Sequence, residues 1–148
     1  MILFTESSFS NERSVNTKES FIKWTGKELT TKTHYGKLSI ASGNISIDND
    51  QISGEVVVDM ESLLVEDLQG EWADKLAGHL RSDDFFSVDK FSTSTLKATG
   101  SKKTSDNTYQ VEGVLTIKGI SHPISFQADV KDDLLTSSLT FDRSLYDV

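Results

Sequence analysis

The sequence predicts an all-β fold of antiparallel strands, a barrel or a sandwich, with one short helix. Three observations predict it. Apolar and polar side chains alternate over several short stretches, turn residues punctuate those stretches, and apolar residues recur at every fourth position in one segment only. Nothing alternates strand with helix, which argues against a parallel sheet. At 148 residues the chain reads as a single domain spanning 1–148, and a domain of that size buries roughly two-thirds of its unfolded surface.

The first strand signal runs from Ser20 to Glu28, where Ile22 and Trp24 share one face while Lys23 and Thr25 share the other. His34 to Ala41, Asn44 to Asp48 and Gln51 to Met60 repeat the pattern, divided by Gly43 and by the turn sequence Asp48-Asn49-Asp50. The pattern changes after Met60, and a helical segment is expected around 62–80. Within it Leu68, Trp72, Leu76 and Leu80 form a stripe that predicts a helix from about Gly70 to Leu80, laid on the sheet. Strand character returns at Lys90 to Lys102, Thr108 to Lys118, His122 to Lys131 and Leu134 to Asp142. Tyr109, Val111, Gly113, Leu115 and Ile117 share a face, as do Ile124, Phe126, Ala128 and Val130. Gly119-Ile120-Ser121 reads as a hairpin link, and Pro123 as a strand start, where a missing N–H does least harm.

Composition narrows the function. Fifteen Lys and Arg against 23 Asp and Glu give a net charge of −8, which repels the phosphate backbone that dominates nucleic-acid affinity. No polybasic cluster is present for an anionic membrane, and no run approaches the roughly 20 apolar residues that span a bilayer. The chain therefore reads as soluble, without stable membrane insertion. Cysteine is absent, so disulfides, thiolate catalysis and zinc–thiolate sites are excluded. The opening Met-Ile-Leu-Phe-Thr-Glu-Ser lacks the basic and apolar regions of a signal peptide. As written, the expectation is a cytoplasmic protein, or a periplasmic one where the natural start lies further upstream.

Candidate chemistry is sparse. His34, His79 and His122 fall at element boundaries, where an imidazole caps backbone groups or faces solvent, and no metal site is expected from them. His79 and Arg81 suit the C-terminal end of a helix. The carboxylates of Ser82-Asp83-Asp84 and Asp132-Asp133 lack calcium-loop spacing and read as solvated turns. Gly26, Gly36, Gly43 and Gly54 form no phosphate-cradling cluster and suit bends that curl a sheet. No cofactor is expected. Trp24, Phe126 and Phe141 sit on apolar strand faces, either as core or as a cavity wall. A small barrel accommodates both, so periodicity leaves the two open.

Two segments carry a resemblance: Ile22-Lys23-Trp24-Thr25-Gly26-Lys27 and Gly78-His79-Leu80-Arg81-Ser82-Asp83-Asp84-Phe85-Phe86-Ser87-Val88. They are joined by His34-Tyr35-Gly36, Val58-Asp59-Met60-Glu61-Ser62-Leu63, Gly113-Val114-Leu115-Thr116-Ile117-Lys118-Gly119-Ile120 and Asp142-Arg143. In this order over nearly the whole length, the chain resembles the YceI-like polyisoprenoid-binding family. The resemblance implies an antiparallel eight-stranded lipocalin-like barrel that holds a long isoprenoid, quinone or fatty-acyl chain. Relatives tend to read Lys-Tyr-Pro where this chain has Lys90-Phe91-Ser92. They also continue past the segment matching Tyr146-Asp147-Val148 with a last apolar strand, so the expectation is a barrel lacking that strand, with a gap beside its N-terminal strand and a homodimer as one way to fill it.

On this reading the ligand wall is Ile22, Trp24, Leu38, Ile40, Val56, Val58, Leu115, Ile117, Phe126, Ala128, Leu139 and Phe141, with Phe85 and Phe86 near the entrance. A carrier without catalytic residues is the leading expectation. The alternatives are a structural or interaction protein with a filled core, and an enzyme acting on a bound lipid through His79 and Arg81.

Overall fold

The computed structural model describes the backbone of residues 2–5 and the whole of residues 12–27 and 33–148. Among the described residues, nine strands and one α-helix follow one another as β1 (Ile2–Thr5), β2 (Glu12–Val15), β3 (Phe21–Lys27), β4 (Thr33–Asp48), β5 (Gln51–Val65), α1 (Glu71–Arg81), β6 (Thr93–Lys103), β7 (Thr108–Ile117), β8 (Ile120–Lys131) and β9 (Leu134–Ser138). A 3₁₀ turn, Arg143–Tyr146, comes after β9.

All strands join one antiparallel sheet in the order β2-β1-β9-β8-β7-β6-β5-β4-β3. The sheet curls so far that β2 also pairs with β4, through Arg13 opposite Ile45. β2 and β3 lie in succession along the same edge of β4, β2 against Asn44–Ser46 and β3 against Thr33–Ser39. One end of the curl is thus a ring of eight strands. At the other end β3 pairs with β4 alone among the described residues, leaving a curled half-barrel.

Two tight turns set the twist. Asn49 and Asp50 (φ 50° and 62°) join β4 to β5, and Lys118 and Gly119 (φ 54° and 73°) join β7 to β8. Consecutive positive φ values mark the type I′ turn, whose handedness matches twisted strands. The β7–β8 link is therefore Lys118-Gly119, whereas Ile120 and Ser121 already belong to β8. Pro123 lies inside β8, opposite Val114, in a stretch that β9 does not reach, so an N–H missing on that flank removes no ladder bond.

Several predicted boundaries move. The segments on either side of Gly43 are one 16-residue strand, because β4 absorbs its bend in two irregularities, between Lys37 and Ser39 and between Ile40 and Ser42. The expected helical start at Ser62 is strand as far as Val65. Strand β9 stops at Ser138 rather than Asp142, and β1 and β2 had no counterpart in the sequence pattern. The helix is present, but its stripe is rotated. Ala77 is buried, Ala73, Leu76 and Leu80 are half-buried, and Trp72 is 63% exposed. Spacing 73-76-77-80 covers one face of a helix, whereas four residues each four apart drift around it.

Burial follows the pleat. On β7, Tyr109, Val111, Leu115 and Ile117 are buried while Gln110 and Glu112 are exposed. One cluster gathers Val15, Ile40, Ile45, Ile52, Val56, Tyr109, Val111, Ala128 and Leu135, and a second gathers Leu115, Ile117 and Tyr146. Val56 stands opposite Leu96, and Leu96 opposite Leu115, so both line the same concave face.

Gly36 makes this curvature possible: a Cβ there would stand 1.7 Å from the Leu64 carbonyl oxygen and 2.9 Å from the Trp24 ring. Gly36→Ala is expected to lower stability by about 1–3 kcal/mol or more through overpacking. Gly78→Ala, inside α1 with open space around the new methyl, is expected to raise it by about 0.5–1 kcal/mol. Urea denaturation of the two variants checks both signs.

Candidate ligand-binding site

The proposed wall residues are covered to different degrees. Ile40, Val56, Leu115, Ile117 and Ala128 are buried. Ile22, Trp24, Leu38, Val58, Phe85, Phe86, Phe126, Leu139 and Phe141 are half-buried. Ile22, Val58 and Phe126 pack on the first cluster, and Phe86, Leu139 and Phe141 on the second. Leu139 and Phe141 come from the segment after β9 rather than from a strand, and Phe141 meets Tyr146 edge-on at 5.6 Å. The inner face is thus apolar, with partly covered side chains packed around two buried clusters.

Strand β5 makes an excursion from β4. Leu64 pairs with Lys37 and Asp59 with Ser39, so Met60–Leu63 stand opposite Leu38 alone. The excess chain folds under α1 and the turn after it, burying Met60, Leu63, Ala77 and Val88. Polar contacts hold it at several points. Ser62 Oγ accepts from Ser39 N at 2.7 Å and donates to the Asp59 carbonyl, and Met60 N donates to the Ser92 carbonyl at 2.9 Å. Trp24 Nε1 donates to the Leu64 carbonyl at 3.0 Å, and Arg81 Nη2 donates to the Leu63 carbonyl.

The histidines have local partners. His34 Nδ1 lies 2.7 Å from Asp67 Oδ2, and Asp67 Oδ1 accepts from Tyr35 N at 2.9 Å, tying the segment after β5 to β4. His122 Nε2 lies 2.8 Å from the Leu145 carbonyl oxygen, with Tyr146 edge-on at 5.1 Å. His79 is exposed and meets Phe85 edge-on at 4.7 Å. Phe85 also lies 5.6 Å from the Arg143 guanidinium. Among the described residues no three His, Asp or Glu side chains gather to hold a metal. Asp83 accepts from Ser87 Oγ at 2.6 Å and from Lys90 Nζ at 3.4 Å, contacts that hold its carboxyl below the usual value.

Sequence periodicity overlooked part of this assembly. Tyr146, 2% exposed at the heart of the second cluster, follows no strand alternation because it sits in the 3₁₀ turn. Burial pushes its phenol pKa up. Val15, Ile45, Ile52 and Leu135 also belong to the inner face. A separate open groove of about 400 Å³, lined by Gln127, Asp129, Thr136, Ser137 and Ser138, is polar and exposed.

The model of the YceI-like domain matches residues 14–148. The chain belongs to the YceI-like family. YceI-like domains are lipocalin-like barrels that typically bind hydrophobic ligands. This YceI-like chain is 35% identical over 97 residues to a UPF0312 protein of Vibrio vulnificus, covering 64% of this chain and 48% of that one. To a UPF0312 protein of Azotobacter vinelandii it is 29% identical over 112 residues, covering 75% and 56%. The chain thus spans about half the length of the curated relatives it matches. Its fold is that of Burkholderia cenocepacia BcnA, with TM-score 0.56, 14% identity and coverage of 99% of this chain and 79% of BcnA. The YCEI protein of Campylobacter jejuni gives TM-score 0.55 at 20% identity, covering 79% and 67%.

Asp67 makes the tie between β4 and the segment after β5 sensitive to acid in this YceI-like fold. Burial pushes its carboxyl up, but the Tyr35 N–H and the His34 ring outweigh that and hold the group below its ordinary value. Its contribution to stability is therefore full above the ordinary carboxylate range and lost as pH falls through the lowered folded value. Asp67→Asn is expected to flatten that part of the acid limb in urea melts recorded between pH 6 and 2; an unchanged limb would remove Asp67 from the account.

Proposed function

We propose that this chain is a carrier that takes a long isoprenoid, quinone or fatty-acyl chain onto its concave apolar face. The observation that carries the reading is the incomplete burial of Ile22, Trp24, Leu38, Val58 and Phe126, beside strand neighbours such as Lys23, Thr25 and Gln127 that are exposed and polar. Inward apolar side chains with accessible area are a binding surface for a chain that needs burial and few polar contacts. Family membership supports the same class of ligand.

Mechanism on this reading is sequestration and release, with no bond made or broken. The resident side chains contribute shape and dryness: each CH₂ moved from water to the trough gains roughly 0.8 kcal/mol. The mouth, bordered by the β5 excursion, Trp24 and Phe85, is where a chain enters. His79 is not needed on this reading, because its ring meets Phe85 at the surface and no general base is called for.

The test is a homologous series of straight-chain alcohols from C10 to C16, measured by calorimetry or by displacement of a fluorescent lipid probe. Affinity should tighten by about fourfold per added CH₂ until the trough is full, the fold-change that 0.8 kcal/mol implies. Phe126→Asp should weaken the C16 alcohol at least about tenfold, since it places a carboxylate on the apolar wall. Absent binding, or affinity that ignores chain length, contradicts the carrier reading.

A further inference from the structure

The outer face of β3 and β4 reverses the sign of the chain's charge. Overall, 15 Lys and Arg stand against 23 Asp and Glu, and no stretch of the sequence gathers cations. Strand pairing gathers them instead. Lys23 stands directly opposite Lys37, Thr25 opposite Tyr35 and Lys27 opposite Thr33, and Lys37 in turn stands opposite Leu64 of β5. Partners opposite each other share a face of the sheet, so Lys23, Lys27, Lys37, Tyr35 and Leu64 form one exposed surface. Glu66 continues the ladder by donating its N–H to the Tyr35 carbonyl, and its carboxylate lies 3.8 Å from Lys37 Nζ.

Sheet stability alone does not favour such a surface. Like charges directly opposite one another are destabilising. Of the four large hydrophobic side chains that stand exposed among the described residues, two belong here, Tyr35 at 40% and Leu64 at 56%. The facing ammonium groups part along the diagonals: Lys23 Nζ lies 5.1 Å from the Tyr35 ring centre and Lys37 Nζ 5.0 Å from that of Phe21. Cations are thereby interleaved with aromatic rings. On the other side of the same strand, Ile22 packs against the first buried cluster, and β3 pairs with β4 alone among the described residues. The basic face therefore lies one strand's thickness from the concave face, at its open edge.

We propose that this face docks the protein on the surface of an anionic lipid bilayer. The purpose of docking rests on the carrier reading, and the choice of partner on charge complementarity. Each lysine at the surface strengthens partitioning to negative head groups by about fivefold, while Tyr35 and Leu64 suit the interfacial layer, where aromatic and apolar side chains settle. A long apolar chain has almost no free population in water, so a carrier collects it from a bilayer. Docking by this face brings the open edge of the sheet to that source.

Sedimentation with vesicles of phosphatidylcholine, alone or with about one-third phosphatidylglycerol, tests the proposal. The proteins compared are wild type, Lys23→Gln/Lys37→Gln, Leu64→Ser, and a control, Lys102→Gln/Lys131→Gln, whose exposed lysines lie on β6 and β8. Wild type should bind the anionic vesicles at least about tenfold tighter than the neutral ones, with the difference shrinking as salt is raised. Lys23→Gln/Lys37→Gln should lose about twentyfold on anionic vesicles, and the control less than about twofold. Leu64→Ser should weaken binding without changing its salt dependence. Thermal melts should place Lys23→Gln/Lys37→Gln no lower than wild type, since a cross-strand repulsion is removed, and every variant should bind hexadecanol in solution as wild type does. Equal binding to the two kinds of vesicle, or a loss in the control as large as in Lys23→Gln/Lys37→Gln, overturns the docking face. Retention on polyglutamate together with indifference to both vesicles overturns it in favour of an acidic protein partner. Binding to anionic vesicles by a protein that takes up no hexadecanol leaves the docking face standing and overturns the carrier reading.

Discussion

The register of β4 against β5 is the constraint on which the rest of the fold depends. Side chains alternate with period two, so a slip of one residue would turn Ile40, Val56 and Val58 outward and present Ser39, Val57 and Asp59 to the trough. Close approach protects the register at two places. Gly36 lies under the Leu64 carbonyl and Trp24, and Gly54, at φ 132°, leaves room for the Asn44 carbonyl oxygen 2.1 Å from where a Cβ would stand. Between them the two irregularities in β4 bend the strand, allowing β2 to reach β4 and close one end. The same bend leaves four residues of β5 unmatched, and those residues become the border of the mouth.

The trough and its mouth use different physics. Along the wall the interactions are apolar and non-directional, and the gain from a bound chain scales with the surface removed from water. At the mouth, polar groups fix backbone carbonyls one by one: Trp24 at Leu64, Arg81 at Leu63, and Ser62 between Ser39 and Asp59. A wall of this kind selects by length and width.

The buried face of several strands was legible in the sequence because period-two alternation reports burial directly, as it does along Tyr109–Ile117 and Ile124–Val130. Membership in the family was legible too, since its motifs run in order along the chain. What the pattern could not convey were features set by tertiary geometry. Gly43 reads as a break, yet β4 runs through it, and the glycine leaves room for Val15, 2.8 Å from where a Cβ would be. Trp72 reads as part of the apolar stripe, yet the helix turns it out and stacks Lys75 on its ring at 5.0 Å. Tyr146 reaches the inner face from outside any strand, where alternation carries no information. Arg81 gave only the signal of a cation near a helix end; the burial of its Nε without an acceptor is set by tertiary packing.

The account stands on one claim, that the concave face holds a long apolar chain. Mass spectrometry of the organic extract of the purified protein, beside native mass spectrometry of the intact species, addresses it most directly. The account predicts a long-chain isoprenoid, quinone or acyl species near one per protein, lost from the native spectrum when the wall is disrupted at Phe126. A protein that emerges empty and takes up no added long-chain ligand would contradict it.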